Sequence, residues 1–232
     1  MKIADLNELK ISTLLPSPKG VALALMEACR REDITIHEIA RLVQTDPALS
    51  GRLIQRANSS NQATRPVTSV ADAISHVGFA TVKQLAMGFS LIDQYQKGAC
   101  KGFNYQNFWS HSLLMAINMQ ELAKLTRVCA PDELFACGLM AQIGNLALAT
   151  IYPEKYNDLM EKRTPDQSMD ELERQYLKTD HNELTAAMLL NFGIPKIFVE
   201  SMYYHDRPDE SGFSEGSRPF HMVHLLYLGK QI

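Results

Sequence analysis

The sequence lacks every paired-cysteine signal. Its four cysteines, Cys29, Cys100, Cys129 and Cys137, are scattered without CxxC spacing. That argues against a zinc knuckle, a redox motif or a disulfide scaffold, and predicts reduced, mostly buried thiols of a cytoplasmic chain. Excess positive charge is missing too. Lys and Arg number 23 against 26 Asp and Glu, a net charge of -3, so no global field draws the chain to nucleic acid or an acidic membrane. The first residues, MKIADLNELK, hold no apolar run, and no signal peptide is expected. Neither internal repeats nor low-complexity linkers occur. No alternating apolar and polar segment is bracketed by turn signals, so no sheet is predicted.

Long uncharged runs are equally scarce. The one that could span a bilayer by length is LFACGLMAQIGNLALATIYP, Leu134 to Pro153. It contains Gln142, Asn145, two glycines and a terminal proline. A helix buried on all sides explains it better, and no membrane contact is expected.

What is present is helix punctuation. Pro18 opens a run to about Arg31, and Thr35-x-x-Glu38 is a capping box for Ile36 to Gln44. Asp46-Pro47 starts a helix to about Asn58, and Ser69-x-x-Asp72 starts one that Gly78 ends. A longer helix follows from Ala80 to about Tyr95. The segment Gln96 to Tyr105, with two glycines and two lysines, reads as a loop between two lobes. Asn104 can cap a helix to about Arg127, and Pro131 opens the apolar helix ending near Tyr152. Ser168-x-x-Glu171 and Asp180-x-x-Glu183 are further capping boxes. Gly193 stops the second, Pro195 starts a helix to about His205, and Pro219 to Ile232 is the last. It ends without a stop signal, which fits either a natural protein that continues beyond it or a helix docked at a true C-terminus. The expected fold is all-α: a single domain over 1–232, divided into an N-terminal lobe of about 1–96 and a larger helical lobe of about 104–232.

Two features invite a functional reading. Ile34 to Ser60 has the outline of a helix-turn-helix, in which Ser50, Arg52, Gln55, Arg56 and Asn58 would face a major groove. Against it, Leu49, Leu53, Ile54 and Ala57 form the stripe of any amphipathic core helix, and the chain is acidic. The second feature is three histidines on three helices, His111, His181 and His205, the last followed by Asp206. Histidine nitrogens and carboxylate oxygens are what metal-dependent phosphate chemistry requires, yet a lone histidine on an apolar face is more often a packed core residue. His37, His76, His221 and His224 read as surface or packing residues. Phe103, Tyr105, Phe108 and Trp109 read as packing between the lobes.

Three blocks carry a family resemblance: LLPSPKGVALALMEAC (Leu14 to Cys29), IARLVQTDPALSGRLIQRANSS (Ile39 to Ser60) and VTSVADAISHVGFATVKQLAMG (Val67 to Gly88). With these, the chain from Ile11 to Lys230 resembles the HDOD family, the HD-related output domains. That resemblance implies an HD-like C-terminal lobe and kinship with HD and HD-GYP metal phosphohydrolases. Carried over by position, His111 in FWSHS matches the first metal-binding histidine of those enzymes. Their His-Asp pair falls on Ala141 and Gln142, and the lysine after it on Asn145. His181 matches the next histidine, and His205 with Asp206 matches a later His-His pair. The late Asp falls near Tyr227. A neutral amide at Gln142 cannot replace a bridging carboxylate between two metal ions. The resemblance therefore implies a vestigial pocket of His111, Gln142, His181, His205 and Asp206 with no catalytic residue, and no cofactor beyond one weakly held metal ion. It implies a bacterial signalling module acting on a protein partner or fused domain of diguanylate cyclase, phosphodiesterase, kinase or receiver type. The alternatives are a residual phosphohydrolase and a helix-turn-helix regulator.

Overall fold

The computed structural model describes residues 15–17, 19–29, 31, 33–59, 66–164 and 166–232. Pro18, Leu14 and Ser60, which the sequence reading used, lie outside them. Among the described residues the chain is helical, with no strand. It divides into two compact units, one of Ser17–Gln94 and one of Tyr95–Ile232 together with the segment that ends at Pro16.

The smaller unit holds five helices: α1 (Val21–Ala28), α2 (Ile36–Gln44), α3 (Pro47–Ser59), α4 (Val70–Val77) and α5 (Phe79–Gln94). The starts of α2, α3 and α4 lie where side-chain oxygens meet the unpaired N–H groups of a first turn. Glu38 N–H donates to Thr35 Oγ1 at 3.2 Å and Thr35 N–H donates back to Glu38 Oε2 at 3.0 Å. Leu49 N–H donates to Asp46 at 3.0 Å, and Asp72 N–H to Ser69 Oγ at 3.1 Å. Gly78, at φ 80°, ends α4 in a conformation that side chains resist. Leu25, Ile39, Val43, Leu53, Ile74, Leu85 and Leu91 are buried.

The larger unit begins with α6 (Tyr105–Thr126), capped by Asn104, followed by α7 (Pro131–Met140), α8 (Ile143–Ile151), α9 (Pro153–Lys162) and α10 (Met169–Leu177). Then come α11 (His181–Asn191), α12 (Lys196–Tyr203), a 3₁₀ turn (Pro208–Glu210) and α13 (Arg218–Gln231). All residues from His181 to Leu189 are buried, so α11 is the central helix, and α8, α10 and α12 pack around it. Phe103 stacks on Tyr105, Phe108 and Tyr156, with centroids 4.9, 5.3 and 6.2 Å away. Trp109 Nε1 donates to the Tyr95 carbonyl at 2.8 Å. These aromatics thus pack with residues of their own unit.

Three sequence expectations change. The apolar run opening at Pro131 is two helices, broken at Ala141 and Gln142. The cause is a close approach: Gly144 N–H donates to Thr185 Oγ1 at 2.9 Å, and a Cβ on Gly144 would lie 1.8 Å from the His181 carbonyl oxygen. Over Pro131–Ile151 the mean hydropathy reaches 1.7, with 72% of that window buried, as for the core of a helical bundle. Helix α9 was not assigned, although Pro153 opens it and Tyr156 and Leu159 form its buried side. Ser168 precedes α10 without capping it; its hydroxyl donates to the Asp170 carboxylate instead.

Candidate functional site

The polar interior of the larger unit lies where α10 turns into α11. Lys178 makes the reversal with φ 66°. Asp180 then caps α11, accepting from Glu183 N–H at 2.8 Å, while its other oxygen takes the Arg174 guanidinium. Arg174 also reaches Asp170 at 2.7 Å, and Arg207 reaches the same oxygen at 3.2 Å. The cap sets His181 at the first position of α11, pointing into this network.

His181 lies between two carboxylates. Its Nδ1 is 2.6 Å from Glu173 Oε2, which also accepts the His181 backbone N–H at 2.8 Å. Its Nε2 is 3.1 Å from Asp206 Oδ2. Glu173 is fully buried and His181 is 5% exposed, so these charges act through little water. Burial alone would favour the neutral ring. Glu173 and Asp206 more than reverse this and raise the His181 pKa to about 10. His181 is therefore an imidazolium with both N–H groups donated.

Asp206 collects the remaining charge. Lys230 donates to its Oδ1, and Asn182 Nδ2 to its Oδ2 at 3.3 Å. Burial pushes its carboxyl up, but the hydrogen bond from His181 and the charge of Lys230 hold it well below the usual carboxylate range. His205 behaves oppositely. It has no exposure, its Nδ1 donates to the Met202 carbonyl at 2.6 Å, and burial lowers its pKa to about 4. Its neutral Nε2 sits 3.3 Å from Asp206 Oδ1 and makes no hydrogen bond. A cavity of about 280 Å³ opens beside the network, walled by Arg163, Ser168, Asp170, Asp206, Arg207 and Lys230 with His181 behind.

Of the five residues expected in a vestigial pocket, the structure brings together His181, His205 and Asp206. It does not bring in the other two. His111 is exposed on α6, because the inward face of that helix is occupied by Phe108, Ser112 and Met115. Gln142 stands at the start of α8, with no side-chain bond to the network. Sequence reasoning missed Glu173, Arg174, Asp170 and Lys230. The signal available was Asp170 and Glu173 beside Leu172 and Leu177 on the buried face of α10. Acids placed on an apolar face require a basic partner.

The metal centre implied by kinship with HD enzymes does not fit these residues. Both His181 nitrogens are taken by Glu173 and Asp206, and Asp206 is itself bound to Lys230 and Asn182, which leaves His205 Nε2 as the one unpaired histidine nitrogen of the network. Ala141 is buried and has no donor atom. No group of three or more His, Cys, Asp or Glu among the described residues is arranged to hold a metal ion. The helix-turn-helix reading also loses its surface. Arg52 lies over the Phe89 ring at 4.6 Å and near Asp93 at 3.5 Å, and Ser50 donates to the Val43 carbonyl. Asn58 exchanges two hydrogen bonds with the Val67 backbone, at 2.8 and 2.7 Å.

The model of the HDOD domain matches residues 15–208. Among solved structures, the MmoQ response regulator of Methylococcus capsulatus is 35% identical, with 93% of this chain and 84% of that one covered and a TM-score of 0.56. An HDOD domain protein of Geobacter sulfurreducens is 20% identical with a TM-score of 0.71, covering 97% of this chain and 76% of that one. An uncharacterised protein of Treponema pallidum is 21% identical over 200 residues, 82% of this chain. The chain spans about 37% of the length of that relative.

Proposed function

The chain belongs to the HDOD domain family, and we propose that it is a non-catalytic regulatory module, passing a signalling state to another domain or protein through direct contacts. The observation that carries this reading is the closed Glu173–His181–Asp206–Lys230 network. Groups that would otherwise bind metal or activate water neutralise one another. The network is suited to holding α10, α11 and α13 in one arrangement. With no bridging carboxylate and a single unpaired nitrogen, His205 Nε2, the site lacks the ligand set that a metal-bound nucleophile requires. The similar MmoQ protein is a response regulator, which supports a place in bacterial signal transduction. The setting assigned is the cytoplasm, which suits four free thiols. The partner class is a cyclic-dinucleotide enzyme, a kinase or a receiver domain, and no cofactor is needed.

Metal analysis of the purified protein, paired with a cyclic-dinucleotide hydrolysis assay, tests this. The expected outcome is substoichiometric metal and turnover equal to a blank. Two tightly held metal ions with turnover that a chelator abolishes would establish the residual phosphohydrolase instead.

A further inference from the structure

Helix α6 carries large apolar side chains on two opposite faces. One is buried and includes Phe108, Met115, Ala116, Met119 and Ala123. The other is in water, yet it presents Leu113, Leu114 and Ile117 at 36, 47 and 50% exposure. Scattered exposed leucines need no explanation, but a cluster on one face marks a contact surface. Of the ten exposed large hydrophobic residues among those described, four lie on α6, these three and Leu125. Beside them Leu228 is exposed on α13, which packs along α6 through the Asn118 amide and the Gly229 carbonyl.

The order of residues along this face says what covers it. Asn107, Ser110, Leu114, Ile117, Glu121 and Lys124 are all exposed and follow one another in steps of three and four, the spacing of a helix-pairing seam. Their pattern is symmetric: two polar residues, two apolar, two polar. Folded about the midpoint between Leu114 and Ile117, the seam matches itself. Leu114 meets Ile117 of a second copy. Across such an antiparallel pair the Ser110 hydroxyl would donate to the Glu121 carboxylate of the other copy, and the Asn107 carbonyl would accept from its Lys124 ammonium. A twofold interface needs this reciprocity, in which residue i meets j and j meets i. Parallel pairing in register would instead set Glu121 against Glu121 and Lys124 against Lys124. Within one chain these two form an exposed ion pair at 2.6 Å, which holds them only weakly.

We propose that this face of α6 is the interface of an antiparallel twofold homodimer, with Leu114 and Ile117 of both copies packed at its axis. The proposal goes beyond the regulatory reading and does not depend on it.

Sedimentation velocity over a wide concentration range, together with cysteine cross-linking, tests it. The protein is expected to dimerise, and Ile117→Glu should weaken the dimer by at least roughly 100-fold, because each interface loses two central apolar side chains. Ile117 is half exposed, so the variant should keep the wild-type circular dichroism spectrum and melting temperature. Under mild oxidation the Ser110→Cys, Glu121→Cys double variant should form a covalent dimer, and Ser110→Cys alone should not. A protein monomeric at every concentration, a dimer indifferent to Ile117→Glu, or efficient cross-linking of Ser110→Cys alone would overturn the proposal.

Discussion

Raising the pH should destabilise this protein in a window where most domains change little, and the cause is His181. In the unfolded chain this histidine loses its proton near pH 6.5, whereas in the folded chain Glu173 and Asp206 hold it to about pH 10. Between those values the folded state carries a proton that the unfolded state has released. Each pH unit then costs the folded state about 1.4 kcal/mol. From about pH 7 to about pH 9 the loss due to His181 should approach 2–3 kcal/mol, and above about pH 8 the four thiols, whose pKa burial raises, add a loss of the same sign. His205 adds nothing there, since it is neutral in both states. Below pH 6.5 it acts with the opposite sign: the unfolded chain takes up a proton that the buried ring refuses until about pH 4, so stability also falls with acidification. Urea unfolding followed by circular dichroism at several pH values measures both limbs. Glu173→Gln removes the nearer negative charge and should at least halve the loss between about pH 7 and about pH 8, below the range in which the thiols contribute. Stability that stays flat between pH 7 and 9, or a slope unchanged in Glu173→Gln, would refute the assignment of an ion-paired imidazolium.

Other outcomes follow from particular contacts. Gly144→Ala places a methyl 1.8 Å from the His181 carbonyl, and should cost about 3 kcal/mol or more, read as a lower melting temperature. Asp180→Ala removes the α11 cap and a carboxylate bound to Arg174, and about 2–4 kcal/mol of unfolding free energy should go with it. Asn58→Ala frees both hydrogen-bonding groups of Val67 and should lower urea resistance by about 1–3 kcal/mol. Replacing Arg52 and Arg56 together by alanine should leave retention on a DNA column unchanged; a large loss of retention would favour a nucleic-acid role.

The legible part of this protein is the part governed by local chemistry. Thr35, Asp46, Ser69, Asn104 and Asp180 cap helices because a short side-chain oxygen satisfies N–H groups within its own turn, which three or four residues suffice to specify. The all-helical class and most helix boundaries were readable in this way. Ser168 shows the limit. Its spacing to Glu171 is that of a capping box, but its oxygen accepts no first-turn N–H, and its hydroxyl donates to the Asp170 carboxylate.

By itself, then, the sequence determined where most helices begin and which faces are apolar. Only the tertiary structure decided that the apolar run breaks at Ala141 and Gln142. That break depends on the distance between Gly144 and a carbonyl of α11, 37 positions further along the chain. It also decided that His181 pairs with Glu173 and Asp206 while His111 faces water. Charge pairing in a buried site falls off with distance in space and not along the chain. The partners of a buried histidine are therefore set by how α6, α10, α11 and α13 pack, which no local spacing encodes.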